Sequence, residues 1–183
     1  EVKGALRHGR GWMKPRRAGV GKWFQPARAQ VLPQPLGVVG IIVPWNYPLY
    51  LAIGPLVAAL AAGNRAMVKM SEFTPGFSAL LQRLCEQAFT PEELCIVTGG
   101  PEVAAQFSAL PFDHLLFTGS TPVGRKVMGA AAANLTPVTL ELGGKSPAVI
   151  TPGYPLDHAV ERILAGKLLN AGQTCIAPDY VLL

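Results

Sequence analysis

The sequence predicts an α/β fold in which a parallel sheet is covered by helices on both faces. Residues 37–43, Gly-Val-Val-Gly-Ile-Ile-Val, form a continuous apolar run, as a strand buried on both sides requires. From there to the end of the chain, strand-like and helix-like segments alternate. Twenty glycines and 17 prolines punctuate that alternation with tight turns. Strands separated by helices imply βαβ units, which assemble into a parallel sheet.

The elements follow in order. Residues 1–23 read as the tail of a helical region, and between 24 and 34 the alternation of Ala27, Ala29 and Val31 with polar positions suits an exposed strand. After the apolar strand, Pro44-Trp45-Asn46-Tyr47-Pro48 breaks the pattern, and an apolar helix runs to Gly63, a natural C′ stop. Residues 65–70 form the next strand. Thr74 as N-cap and Pro75 at the first helical position start a helix that reaches about residue 89. Strands at 94–98 and 114–117 flank a helix at 102–110, and a helix from the Thr118–Pro122 turn continues to about 133. Short strands follow at 138–142 and 148–150. Asp157 is placed to cap a last helix carrying Val160, Ile163, Leu164 and Leu168 on one face.

Composition excludes several classes. Half of the residues are hydrophobic and 15% are charged, a globular rather than disordered balance. The net charge of +5 is concentrated: Lys3, Arg7, Arg10, Lys14, Arg16, Arg17, Lys22 and Arg28 face only Glu1 in the first thirty residues. Such a run can attract nucleic acid, but it carries no recognition motif, and a solvated helix and loop is the expectation. Residues 29–64 hold no charge, yet Pro33, Pro35, Pro44, Pro48, Gly54, Pro55 and Gly63 interrupt them too often for a membrane span. Cys85, Cys95 and Cys175 are too few and odd in number for a disulfide framework. With no apolar leader-like core in the first thirty residues, a cytoplasmic location is expected. His8, His114 and His158 show no metal-ligand spacing, so no metal site is expected.

In open parallel sheets, ligands bind beyond the carboxyl ends of the strands. The informative loops are therefore 44–48, 69–72, 118–122, 141–147 and the approach to Cys175. Thr118-Gly119-Ser120-Thr121-Pro122 is a small-residue turn leading into a helix start, where unpaired N–H groups suit a phosphate, Ser120 is placed to cap the helix and contact that phosphate, and Gly119 lets the backbone approach; an ordinary βα turn reads the same way. Lys69 and Glu72 are placed to bind sugar hydroxyls, or to form a surface ion pair. Cys175 follows the small, polar stretch Asn170-Ala171-Gly172-Gln173-Thr174, which favours a reachable nucleophile, whereas Cys85 and Cys95 sit beside leucines and read as inert core thiols. Glu141 closes an apolar strand, where burial would raise its pKa toward that of a general base; pairing with Lys145 is the alternative.

Taken together, Pro44-Trp45-Asn46-Tyr47-Pro48, Lys69-Met70-Ser71-Glu72, Phe117-Thr118-Gly119-Ser120-Thr121, Leu140-Glu141-Leu142-Gly143-Gly144-Lys145-Ser146-Pro147 and Gly172-Gln173-Thr174-Cys175 resemble the aldehyde dehydrogenase superfamily in order and spacing. Leu135-Thr136-Pro137-Val138-Thr139 and Cys175-Ile176-Ala177-Pro178-Asp179-Tyr180 look most like its class 3 branch, which includes coniferyl-aldehyde dehydrogenases. The resemblance implies a Rossmann-like sheet, truncated at both ends relative to the family. It divides the chain into a basic segment with an oligomerisation-type strand (1–35), a dinucleotide-binding domain (36–140) and the beginning of a catalytic domain (141–183).

The resemblance further implies that Cys175 attacks the aldehyde carbon, and that the Asn46 amide and the Cys175 backbone N–H hold the oxyanion. Hydride transfer leaves a thioester, which Glu141 hydrolyses by activating water. Lys69 and Glu72 would hold the adenosine ribose, Ser120 and Trp45 the pyrophosphate, and Thr118 with Leu142 the nicotinamide side of NAD. Tyr47 would wall the aldehyde pocket. Met70 stands where the family usually has proline, which leaves NADP open beside NAD. The implied partner is a small-molecule aldehyde, aromatic or medium-chain, and the complete protein would be a homodimer. Family members are well over twice this length, so the 183 residues alone are expected to be unstable or inactive. Two other readings are a CoA-acylating semialdehyde dehydrogenase and a non-catalytic dinucleotide-binding remnant.

Overall fold

The computed structural model describes residues 2–183. Six α-helices and nine strands are present among them: α1 (Val2–Trp12), β1 (Arg16–Ala18), β2 (Ala29–Val31), β3 (Val38–Ile42), α2 (Pro48–Ala61), β4 (Arg65–Lys69), α3 (Pro75–Ala88), β5 (Leu94–Val97), α4 (Pro101–Ser108), β6 (His114–Gly119), α5 (Thr121–Ala132), β7 (Val138–Leu142), β8 (Ser146–Val149), α6 (Leu156–Leu168) and β9 (Pro178–Leu182). The central sheet has the order β5-β4-β3-β6-β7, and every pairing in it is parallel. No described helix is long and apolar enough to cross a membrane.

Strand alternation builds a core on each face. Val39, Ile41, Val43, Ala66, Val68, Leu94 and Ile96 pack with α2 and α3 on one side. Ile42, Leu115 and Phe117 pack with Phe107 of α4 and with Val127 and Ala131 of α5 on the other. That two-sided burial is why β3 reads as an unbroken apolar run. At Gly40 a Cβ would lie 2.7 Å from the Phe112 ring and 2.8 Å from Leu115, so glycine alone lets that second core close. Two side chains seal the amino end of the sheet. Asn64 Oδ1 accepts from the N–H groups of Leu36 and Gly37, at 2.6 and 3.0 Å, and Asp113 Oδ2 accepts from Val38 N–H at 2.7 Å.

Outside this sheet, β1 pairs antiparallel with β2, and β8 pairs parallel with β9 across α6. The helical reading of residues 1–23 is corrected: the helix stops at Trp12, and Arg16–Ala18 is a strand that finds its partner in β2. The expected exposed strand within 24–34 is confined to three residues, all exposed.

The capping expectations are also corrected. Thr74 and Ser120 occupy N-cap positions, but neither side chain caps its helix; Thr74 Oγ1 donates instead to Ser71 O at 3.3 Å. Asp157 lies in the first turn of α6, whose N-cap is Pro155. Gly63 does follow the end of α2, with φ +85° and its N–H bonded to Leu60 O. On α6, Val160, Leu164 and Leu168 are exposed, and only Ala159 is buried.

Candidate active site

β3 and β6 are neighbours at the middle of the sheet, and their following helices leave toward opposite faces. This is the topological switch point of the sheet, where open α/β sheets bind their ligands beyond the carboxyl ends of the strands. Register places Val97, Lys69, Ile42, Phe117 and Leu140 in one row across all five strands. Thr118 and Glu141 pair one residue beyond that row, and Gly119 and Leu142 one further. Trp45, Asn46 and Tyr47 lie in the loop that carries the chain from β3 to α2. The sheet thus gathers nearly every candidate residue along one edge.

Lys69 is 1% exposed at the end of β4, which removes the surface ion pair as its explanation. Its ammonium donates to Met70 O at 2.7 Å, and the Glu72 carboxylate lies 3.9 Å away. Burial pushes the Lys69 pKa down, against the opposing pull of Glu72 and then Glu102. Ser120, in extended conformation at the start of α5, leaves its side chain uncommitted to that helix. Gly119 has a packing reason of its own, because a Cβ there would lie 2.5 Å from the Phe117 ring.

The loop after β3 is tied to the segment before Cys175. Asn46 Nδ2 donates to Gln173 O at 2.8 Å, and Tyr47 Oη and Thr174 Oγ1 share a hydrogen bond of 2.7 Å. Asn170 Nδ2 donates in return to Asn46 O at 3.1 Å. Cys175 itself is exposed, whereas Cys85 is buried and its thiol is pushed up by that burial and by Glu86. A buried, protonated thiol is inert, so the contrast between the two sites is the expected one.

Glu141 departs from its expectation. It is exposed on β7 rather than buried at the strand's end. Nor does Lys145 pair with it: the Lys145 ammonium lies 3.3 Å from Asp179. No hydrogen bond joins Glu141 to the Cys175 segment among the described residues, whereas Asn46 and Tyr47 both reach it. The motif pattern alone does not disclose Asn170 or Gln173 as members of this network. Their visible signal is Asn170 and Gly172 just after a helix, two residue types that accept left-handed backbone.

The aldehyde dehydrogenase family model matches residues 10–183. This chain belongs to that family. The aldehyde dehydrogenase chain is 64% identical over 171 residues, 93% of its own length, to a Pseudomonas aeruginosa protein named "Probable coniferyl aldehyde dehydrogenase", of which it covers 36%. Among solved structures it is similar to Staphylococcus aureus AldH in a substrate-bound state, with TM-score 0.94, 42% identity, 98% of this chain and 39% of that one. It is also similar to the Mycobacterium tuberculosis aldehyde dehydrogenase complexed with NAD+, with TM-score 0.81, 35% identity, and 98% and 38% of the two chains. The chain therefore spans less than two fifths of the length of these relatives.

The residues at the sheet edge fit the nicotinamide dinucleotide that this family relationship implies. A buried ammonium has three N–H donors, and the described residues give Lys69 one hydrogen-bond acceptor and one loose ion pair. Ligand hydroxyls are the chemistry that the remaining donors suit. The start of α5, with no side-chain cap of its own, suits an anionic group.

Proposed function

We propose that the complete protein oxidises an aldehyde to its carboxylic acid, with Cys175 as nucleophile and a nicotinamide dinucleotide as hydride acceptor. One observation carries this reading: the Asn46 and Tyr47 side chains are hydrogen-bonded to Gln173 and Thr174, bringing an amide donor to the segment that bears the exposed thiol. The Asn46 amide has a second N–H beyond the one that Gln173 O accepts. That donor, with the Cys175 backbone N–H, stabilises the oxyanion that forms when the thiolate attacks the carbonyl carbon. When bound, the nicotinamide supplies the hydride acceptor that turns the Cys175 thiohemiacetal into a thioester. Glu141 then removes a proton from the water that attacks the thioester carbon, and the thiolate leaves.

Residues 36–140 form the dinucleotide-binding domain in this reading, with Glu141 and Leu142 at the end of its last strand. Lys69 and Glu72 hold the adenosine ribose, Ser120 and Trp45 the pyrophosphate with Gly119 letting the backbone approach it, and Thr118 with Leu142 the nicotinamide side. The Glu72 carboxylate beside Lys69 favours NAD, since a 2′-phosphate on the ribose would meet its negative charge. Tyr47 walls the aldehyde pocket. The similarity to a protein named for coniferyl aldehyde points to a conjugated aromatic aldehyde as substrate. The exposed β1–β2 pair, in residues 1–35, is the oligomerisation element of a homodimer.

Reduced-nicotinamide absorbance on mixing the complete protein with NAD and coniferyl aldehyde tests the reading. Cys175→Ser is expected to abolish turnover while leaving NAD binding intact; retained turnover would remove Cys175 from the mechanism. Glu141→Gln is expected to keep the first burst of reduced nicotinamide and to slow the following steady state by ~10²-fold. An equal loss in both phases would assign Glu141 a structural role instead. Product identification with and without CoA distinguishes hydrolysis from acyl transfer, and free acid in both cases is expected.

A further inference from the structure

Between the end of α6 at Leu168 and Cys175, the backbone makes a left-handed turn. Asn170 (φ 51°, ψ 38°), Ala171 (φ 55°, ψ 30°) and Gly172 (φ 80°) are consecutive left-handed residues. Glycine adopts this conformation freely and asparagine tolerates it, but an alanine there crowds its Cβ against the backbone. Ala171 is therefore held against its preference, and hydrogen bonds on both sides of it do the holding. Within the turn, Gln173 N–H and Gln173 Nε2 both donate to Asn170 O, at 3.1 and 3.0 Å. Across to the loop after β3, two amides reciprocate: Asn170 Nδ2 donates to Asn46 O, and Asn46 Nδ2 donates to Gln173 O. Each asparagine side chain thus grips the other segment's backbone, over 124 residues of sequence.

We infer that Asn170 is a positioning residue for Cys175, acting through this reciprocal clamp to fix the thiol and the Asn46 amide relative to each other. The inference rests on the nucleophile reading of Cys175 and adds to it the device that sets the geometry. Cys175 lies two residues beyond Gln173, so its place follows from the turn that Asn170 anchors. Asn46 is bound by the same clamp, so losing the Asn170 amide loosens attacking atom and oxyanion donor together, leaving the Asn46–Gln173 and Tyr47–Thr174 hydrogen bonds as the remaining ties. Both amide bonds are exposed, where water replaces a lost partner at small cost to stability. Their removal should therefore register in the rate rather than in the melting temperature.

Asn170→Gly in the complete protein separates these effects, because glycine keeps the left-handed backbone and deletes only the amide. The expected result is a fall in kcat for aldehyde oxidation of roughly 10- to 100-fold. Cofactor Kd, measured by titration, and Tm should stay at their wild-type values. A wild-type kcat in this variant overturns the inference. So does a kcat loss accompanied by equal losses in Tm and cofactor affinity, which would make Asn170 merely structural. Should the glycine variant not fold, Asn170→Asp keeps the side chain's size and its tolerance of left-handed backbone while removing the amide donor. A fall in its kcat at unchanged Tm and Kd supports the clamp, and a wild-type kcat overturns it. Cys175→Ser is measured in parallel. If that variant turns over, the nucleophile reading fails; if it is dead while Asn170→Gly is fully active, only the role of Asn170 fails.

Discussion

At the scale of single residues, Lys69 is a charge buried at the end of β4. A lysine at 1% exposure keeps its charge in a poorly solvated place, with one backbone carbonyl and a carboxylate at 3.9 Å to offset the loss of water. Its pKa is lowered by burial. The folded state therefore releases the proton at a lower pH than the unfolded chain does. In the window between that lowered value and the ordinary lysine value of roughly 10.4, the unfolded chain binds more protons, so stability rises with pH. Below the window both states are protonated, and the folded state carries the full burial cost. Lys69→Met is expected to match or exceed wild-type stability at neutral pH without cofactor, and its relative advantage should shrink as pH climbs through that window. Urea midpoints over a pH series check this. A less stable methionine variant at neutral pH would show that Glu72 fully offsets the burial. Cofactor affinity should fall in the same variant, which separates what the lysine does for the ligand from what it does to the fold.

At the scale of elements, β3 depends on a missing side chain. A Cβ at Gly40 would lie within 2.7 Å of Phe112, so Gly40→Ala is expected to destabilise by about 1–3 kcal/mol through overpacking. Gly76, in the first turn of α3, has no atom within 4 Å of the same built position. Gly76→Ala is expected to be neutral or to stabilise by up to about 1 kcal/mol, and paired thermal melts test both. The strands of the central sheet are legible in the sequence because burial on both faces demands unbroken apolar runs. The flanking strands are less so. β1 is three residues long with two arginines, and β9 opens on Pro178 and carries Asp179; each is a strand only because a distant partner pairs with it. Caps mislead for a related reason. Thr74, Ser120 and Asp157 are the right residue types, but side-chain geometry decides whether a cap forms, and composition does not encode it. In the site, the loops at the sheet edge are readable from motif order. The exposure of Glu141 is not, because a strand's sequence does not say which of its faces stays uncovered, and on β7 that is the face carrying Thr139 and Glu141.

At the scale of the whole molecule, much apolar surface faces outward. Trp23 and Phe24 are largely exposed, and a groove of about 640 Å³ between α1 and α2 is lined by Trp12, Met13, Pro33, Pro35, Val57 and Ala61. Both two-stranded sheets keep unpaired edges. Exposed apolar surface of this extent suits contact with other polypeptide, and the chain spans less than two fifths of the length of its relatives. The isolated 183 residues are expected to bind an apolar dye strongly and to sediment as more than a monomer. Weak dye binding and a sharp monomer peak would contradict this. The strand order has one more effect, and it concerns time. β3, the centre of the sheet, takes β6 as its second neighbour, and the contact that starts this junction, Val38 to Asp113, spans 75 residues. At ribosomal speeds of about 5–20 residues per second, that flank of β3 waits roughly 4–15 seconds for its partner to be made. During synthesis, then, the most apolar strand of the chain is for a while an unpaired edge.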